Sequence, residues 1–304
     1  MFLTFFFDWC NNKKGMIDFG KSSITTRGKQ HFYLNSTEVS GVQSASISYK
    51  IPKTPIRYIG VEEVDFAANG STQADIQVQS FVVGKDYFIE HTGESPFNGY
   101  VLKDKNNSAE NFSFRSGFLT SHVVRCSIGE LPSTQSSITA FGGAGRIDTT
   151  DSLVSGHLTS IASGPADTSR LNFVSAGSIE VELNDLKSNR INSFEISYNT
   201  ERQSIYGLGN KDPKHVFLKY PIPVECKFNI DVMENGYVAY NSTGYPCNDR
   251  TGSLRIKLND MYSDSLVENY DLGNVHLVQE SHISNTNGPT TMDLVYRGFL
   301  KRPN

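Results

Sequence analysis

The chain has 304 residues, of which 38% are hydrophobic, 25 are glycine and only 20% are charged. Counting glycine, about 46% of the chain is apolar, an ordinary globular value that supports a real core. Twenty-eight Lys and Arg against 32 Asp and Glu leave a net charge of −4, which excludes a strongly basic nucleic-acid binder. No apolar run approaches the ~20 residues of a membrane helix, and neither a coiled-coil nor a collagen-like composition is present.

The first segment, Met1–Phe7, is apolar but runs straight into Asp8. It lacks the basic flank and the small-residue cleavage site of a signal peptide. Residues 1–30 read as an N-terminal arm. A second methionine, Met16, follows Lys13-Lys14-Gly15, whose codons can form a purine-rich ribosome-binding site, so translation starting at Met16 is the alternative.

From residue 31 onward the pattern is strand-like. Ala45, Ile47, Tyr49 and Ile51 alternate with polar residues, and Ala74, Ile76, Val78, Ser80 and Val82 do the same. Between them, Val61–Ala68 reads as a short helix stopped by Asn69-Gly70. His122, Val124, Cys126 and Ile128 precede Ile138 and Ala140 as a further strand pair. A Gly/Ser/Thr-rich stretch then begins at Gly142 and runs to about residue 172, the composition of a connector.

The pattern then returns. Ile179, Val181 and Leu183 lead to Phe194, Ile196 and Tyr198. Val224, Cys226, Phe228, Ile230 and Val232 follow, then Leu254, Ile256 and Leu258, and finally Val275 and Leu277 with Met292, Leu294 and Tyr296. Strict alternation with one polar face indicates antiparallel sheets packed on one side.

The return is a repeat. Leu34–Gly60 aligns without a gap on Leu183–Gly209, at an offset of 149, with 8 identities in 27 positions. Tyr49 matches Tyr198 and Gly60 matches Gly209. Two offsets of 149 nearly exhaust the chain, so the repeat indicates tandem domains. The expected organisation is an arm (1–30), a first β domain (31–145), a linker (146–172) and a second β domain (173–304). The fold class is all-β, mainly antiparallel, with two sandwich or barrel domains that each carry a short helix. Tyr49, Gly60, Tyr198 and Gly209 are its repeat-equivalent structural positions.

Chemical motifs are scarce. No GxSxG elbow, HExxH, Walker loop or EF-hand loop occurs. Glu62, Glu63 and Asp65 cluster, but as a solvated face. The seven histidines lack ligand spacing and read as strand surface or loop. Cys126 and Cys226 fall on apolar faces and read as small core residues. Cys10 and Cys247 complete a set without metal-binding spacing. Asn-X-Ser/Thr triplets at Asn35, Asn69, Asn106, Asn111 and Asn241 carry no weight without a secretion signal. No catalytic, cofactor-binding or metal-ligating residue is assigned, and no enzyme activity is expected.

The repeated unit resembles the tail tube proteins of tailed bacteriophages and their relatives among tube initiators, hub, baseplate and neck proteins. The residues that carry it are the strand Val42–Tyr49, a basic or proline-containing turn, Ile56-Arg57-Tyr58-Ile59-Gly60 or Ile205-Tyr206-Gly207-Leu208-Gly209, and the alternating strand that follows. The resemblance implies a homo-oligomeric virion ring or tube, assembled in the host cytoplasm, whose lumen passes DNA without binding it. With two domains per chain it implies a trimer of pseudo-sixfold shape; axial stacking of the domains would instead give a hexamer. The partners implied are the chain itself, stacked rings, and sheath, baseplate or neck proteins, with no membrane. The alternative function is a β-rich receptor- or carbohydrate-binding virion protein.

Overall fold

The computed structural model describes residues 31–35, 37–50, 53–57, 59–60, 65–68, 73–102, 111–141, 144–146, 174–183, 186–188, 191–208, 210, 212–232, 251–284 and 290–300. All of its regular structure is antiparallel β, apart from one 3-10 turn at Ile89–His91. The strands of the first half are β1 (His31–Leu34), β2 (Thr37–Glu38), β3 (Val42–Lys50), β4 (Lys53–Ile56), β5 (Asp65–Ala68), β6 (Gln73–Phe81), β7 (Phe97–Leu102), β8 (Phe112–Ser127), β9 (Ser133–Ala140) and β10 (Ala144–Arg146). Those of the second half are β11 (Val174–Leu183), β12 (Leu186–Ser188), β13 (Ile191–Asn199), β14 (Arg202–Ile205), β15 (His215–Leu218), β16 (Ile222–Val232), β17 (Thr251–Asp260), β18 (Leu266–Ile283) and β19 (Thr290–Leu300).

The two halves repeat each other in hydrogen-bond register. In the first, the pairing runs β2-β1-β7-β8-β9-β6-β3; in the second it runs β12-β11-β17-β18-β19-β16-β13. Tyr49 lies opposite Ala74, and Tyr198 lies opposite Val224. A register shift falls between Val42 and Ser44 of β3 and again between Ile191 and Ser193 of β13. These are the same positions 149 residues apart. A second shift falls between Leu119 and Ser121 of β8 and between Leu277 and Gln279 of β18, now 158 residues apart. A third falls between Phe97 and Gly99 of β7 and between Gly252 and Leu254 of β17. A β-bulge bends and twists its strand, so three bulges at matched sites reproduce one curvature twice.

Each half is a two-layer sandwich built around one very long strand. The N-terminal part of β8 pairs with β7, while its C-terminal part pairs with β9 throughout and with β13 on the other edge. In the first half, Phe32 and Leu34 of the β1 layer meet Ile76, Val78 and Ile138 of the β6–β9 layer in one core. The second core joins Val181, Leu254 and Ile256 to Ile196, Phe228 and Leu294, and reaches across to Val124 and Cys126 of the first half.

Two expectations need correction. Asp65–Ala68, expected as the end of a helix, is strand β5, paired with β4 from Lys53↔Ala68 to Ile56↔Asp65. Four residues cannot repay helix nucleation, whereas the facing strand supplies their backbone partners at once; Val61–Val64 lie outside the described residues. Likewise Ala144–Arg146, expected within the Gly-rich stretch that begins at Gly142, is strand β10, paired with Phe112–Phe114. Residues 1–30 and 147–173, together with Cys10, Cys247 and Gly209, also lie outside the described residues.

Beyond the main sheet, β4–β5 and β14–β15 form two-stranded arms that prolong β3–β6 and β13–β16. Ile59 and Leu208 occupy the same repeat position near the two arms' ends, and both are fully exposed. Gly60 then turns the chain at φ +86, with open space where a Cβ would stand. Its requirement is therefore conformational and not steric. Gly60→Val is expected to cost about 1–2 kcal/mol and Gly60→Asn distinctly less, as read by urea unfolding.

Candidate functional site: a two-domain sheet and its junction

The feature that joins the halves is a ladder of seven residue pairs between β8 and β13, from Ser193↔Ser127 to Asn199↔Ser121. It fuses four strands of each half into one antiparallel sheet, in the order β3-β6-β9-β8-β13-β16-β19-β18. Period-two alternation gives this sheet one apolar and one polar face.

The apolar face is closed over the junction by a polar clamp. His122 of β8 is wholly buried; its Nε2 lies 2.7 Å from Asp86 Oδ2, and its Nδ1 lies 2.8 Å from Ser136 Oγ. The Tyr270 hydroxyl of the second half donates to the same Asp86 oxygen at 2.9 Å, and the Phe88 N–H donates to Oδ1 at 3.1 Å. The Asp86 N–H in turn donates to Glu268 Oε2 at 2.9 Å. The His122 ring stacks on Tyr198 with centroids 6.0 Å apart. Residues from both halves thus satisfy one another's buried polar groups, as a dry interface requires.

Ser136, His122 and Asp86 form a row that has the composition of a nucleophilic triad. Here the ring is reversed, with Nε2 on the carboxylate and Nδ1 on the serine, where a serine hydrolase uses the opposite arrangement. With the proton on Nε2, Nδ1 accepts from the Ser136 hydroxyl. Ser136 is itself wholly enclosed, so no substrate reaches that hydroxyl and its role here is to hold the imidazole. Among the described residues, no group of three His, Cys, Asp or Glu side chains gathers to hold a metal ion, and no helix is long and apolar enough to cross a membrane.

The histidine is a further departure from expectation. Histidines were read as surface or loop, yet His122 is a core residue. The clue was its place in phase with Val124 and Cys126. Cys126 and Cys226 are buried free thiols, as expected. Ile128, read in phase with them, is exposed beyond the strand's end.

The polar face is the other half of the site. On β3, β6, β9 and the C-terminal part of β8 it presents Ser44, Ser46, Ser48, Gln77, Gln79, Gln135, Ser137 and their neighbours. Lys50, Asp75 and Arg125 are its charges there. The second half adds Glu195, Glu225, Asp231 and Asp293 against Lys227 and Arg297. Five acids against four bases leave −1 on this face. Two of the bases are also committed. Lys227 Nζ lies 3.1 Å from Glu195 and 3.4 Å from Glu225, and Arg297 Nε lies 2.8 Å from Glu225. Hydrogen bonds from Arg297 and Lys227 outweigh the cost of burial and hold the Glu225 carboxyl below its ordinary range.

Tyr49 and Tyr198 occupy equivalent positions in equivalent strands, yet Tyr198 is 2% exposed and Tyr49 is 61% exposed. The difference tracks the neighbour: β13 is flanked by β8 and β16, whereas among the described residues β3 pairs only with β6. Comparison of the chain with protein-family models finds no match, and no characterised protein shows significant similarity to it.

The junction predicts a pH response. Burial raises the Asp86 carboxyl, but its electrostatic interaction with the His122 ring and the hydrogen bonds from His122, Tyr270 and Phe88 reverse this and leave it lowered. Its stabilising contribution is present above the unfolded carboxyl range near pH ~4 and is lost as pH falls through the depressed native value. Burial drives Tyr198 and Tyr270 well above 10, so their contribution is complete below pH ~10 and is lost as pH rises further. Asp86→Ala strands His122 and the Tyr270 hydroxyl in the dry junction. It is expected to cost about 3–5 kcal/mol and to flatten the acid limb of a pH–stability curve measured in urea.

Proposed function

We propose that the chain is a structural virion protein that builds a ring or tube of a phage tail, its polar sheet face turned toward passing DNA. The observation that carries this reading is the fused sheet: two copies of one domain, joined side by side by a strand ladder, with both outer edges open among the described residues. Such a unit is made to continue.

The polar face suits a conduit. DNA has to slide, so the wall should offer hydrogen-bonding groups without a basic stripe. A surface of Ser, Gln, Thr and Asn, with Lys227 and Arg297 paired to carboxylates and a small acidic excess, meets that requirement. The resemblance of the repeated unit to tail tube domains points the same way.

The side-by-side junction favours domains arranged around one circle over domains stacked along an axis. A six-domain ring would then contain three chains. Sheath, baseplate or neck proteins and further rings would meet it at its ends, where the exposed Ile59 and Leu208 arms offer apolar contacts.

Native mass spectrometry and negative-stain imaging of the purified protein test the proposal. Annular particles near three times 33.7 kDa, with no retention of duplex DNA at ~0.15 M salt, are expected. Particles near six chain masses would instead indicate two stacked tiers, and a compact monomer at every concentration would overturn the reading.

A further inference from the structure

The open edges can be identified with the two strands that already meet inside the chain. At the junction, the C-terminal part of β8 pairs with β13. The repeat equivalent of β13 is β3, whose outer edge pairs with no strand among the described residues. The equivalent of that part of β8 is the end of β18, since residues 121–125 and 279–283 follow matched bulges and pair with β9 and β19 in matched register. The β17 ladder stops at His276, so residues 279–283 also have one open edge among the described residues. One half therefore lacks the neighbour that the other half's open edge supplies.

We infer that β3 of one chain pairs antiparallel with the end of β18 of a second copy, in the register of the internal junction. Shifting Ser197↔Val123 by the two repeat offsets gives Ser48↔Ser281, Tyr198↔His122 gives Tyr49↔Glu280, and Glu195↔Arg125 gives Ser46↔Ile283. The occupant is specified by the chain itself, because the strand arrangement that built one such ladder is present twice.

Burial supports the assignment. Phe194, Ile196 and Tyr198 of β13 are all buried, while Ala45 and Ile47 of β3 are half-buried and Tyr49 is exposed. Val278 and Ile283 are exposed large apolar residues on the complementary edge. An open edge invites another strand unless proline, charge or a covering segment blocks it. The described residues 42–50 include no proline. The bulge near Val42 is shared with β13, where it does not prevent pairing.

The inference rests on the ring-forming reading for its second copy, and disulfide trapping separates the two. Cys10 and Cys247 are first replaced by serine. Chains carrying Ser48→Cys are mixed with chains carrying Ser281→Cys, assembled and mildly oxidised. The pair lies directly opposite on one face, within the reach of a disulfide, so covalent heterodimers are expected. Ser48→Cys with His282→Cys is the control: a one-residue slip puts the thiols on opposite faces, and crosslinking should be lost. If either variant of the first pair misfolds by circular dichroism, Ser46→Cys with Ile283→Cys replaces it. In the otherwise unaltered chain, Tyr49→Ala should raise the dissociation constant of the assembly by roughly tenfold or more, as expected when an anchoring interface aromatic is truncated. Native mass spectrometry of the reduced samples runs alongside. Assembled particles with no crosslink, or with equal crosslinking of the slipped pair, overturn the register and leave the ring reading standing. Monomers throughout overturn both.

Discussion

A β-strand in a sheet has two hydrogen-bonding edges, and a buried backbone cannot leave one of them empty. The ladder between β8 and β13 is where this constraint shapes the molecule. β8 is long enough to serve two sheets: its first part closes the β7 layer, and its second part continues the main sheet on both edges. Without that overhang each half would be a sandwich with its own open edges. With it, the outer edge of β13 is satisfied and the two cores meet across Val124 and Cys126. The length of one strand thereby decides whether the repeat is two beads on a string or one continuous sheet.

The duplicated register makes an internal control possible. Identical side chains at Tyr49 and Tyr198 sit in the same strand, beside the same bulge, opposite equivalent partners. One is buried and one is exposed. Residue type and strand position are matched, so the difference points to tertiary context, with β13 flanked on both edges and β3 on one among the described residues. β-Propensity has little independent meaning apart from such neighbours.

Much of the fold was legible because a strand's faces are written at period two. Ala74–Val82 and Val224–Val232 showed their alternation directly, and the 149-residue offset joined the halves before any strand was paired. The errors fell where the signal was short or non-local. Asp65–Ala68 is too brief for its period to distinguish helix from strand, and only its pairing with Lys53–Ile56 settles the matter. His122 carried the right phase, but its burial depends on Asp86, Ser136 and Tyr270. Tyr270 is 148 positions away from it, in the other half of the chain. No window of sequence contains that information. The clamp was illegible for the same reason: each of its members is unremarkable alone and meaningful only when the halves are docked.

The two kinds of junction also face different physical demands. The internal one forms within a single chain, at the high effective concentration that a tether provides, and never has to survive in water with one side missing. It can therefore carry a dry aromatic and imidazole core, with Asp86 receiving donors from both halves. Under the pairing inferred above, the open edges have to remain soluble until a partner arrives. At the positions equivalent to His122 and Val124, β18 carries Glu280 and His282, and at the position equivalent to Tyr270, β8 carries Phe112. The clamp cannot be rebuilt there: neither Glu280 nor Phe112 can supply the imidazole or the hydroxyl donor. There the half-buried Glu280 carboxylate lies 2.9 Å from the exposed His282 imidazole, in place of the dry clamp. Under the inferred pairing, one sheet geometry serves twice with opposite side-chain chemistry: a permanent ladder inside the chain, and a ladder between chains whose formation awaits an encounter.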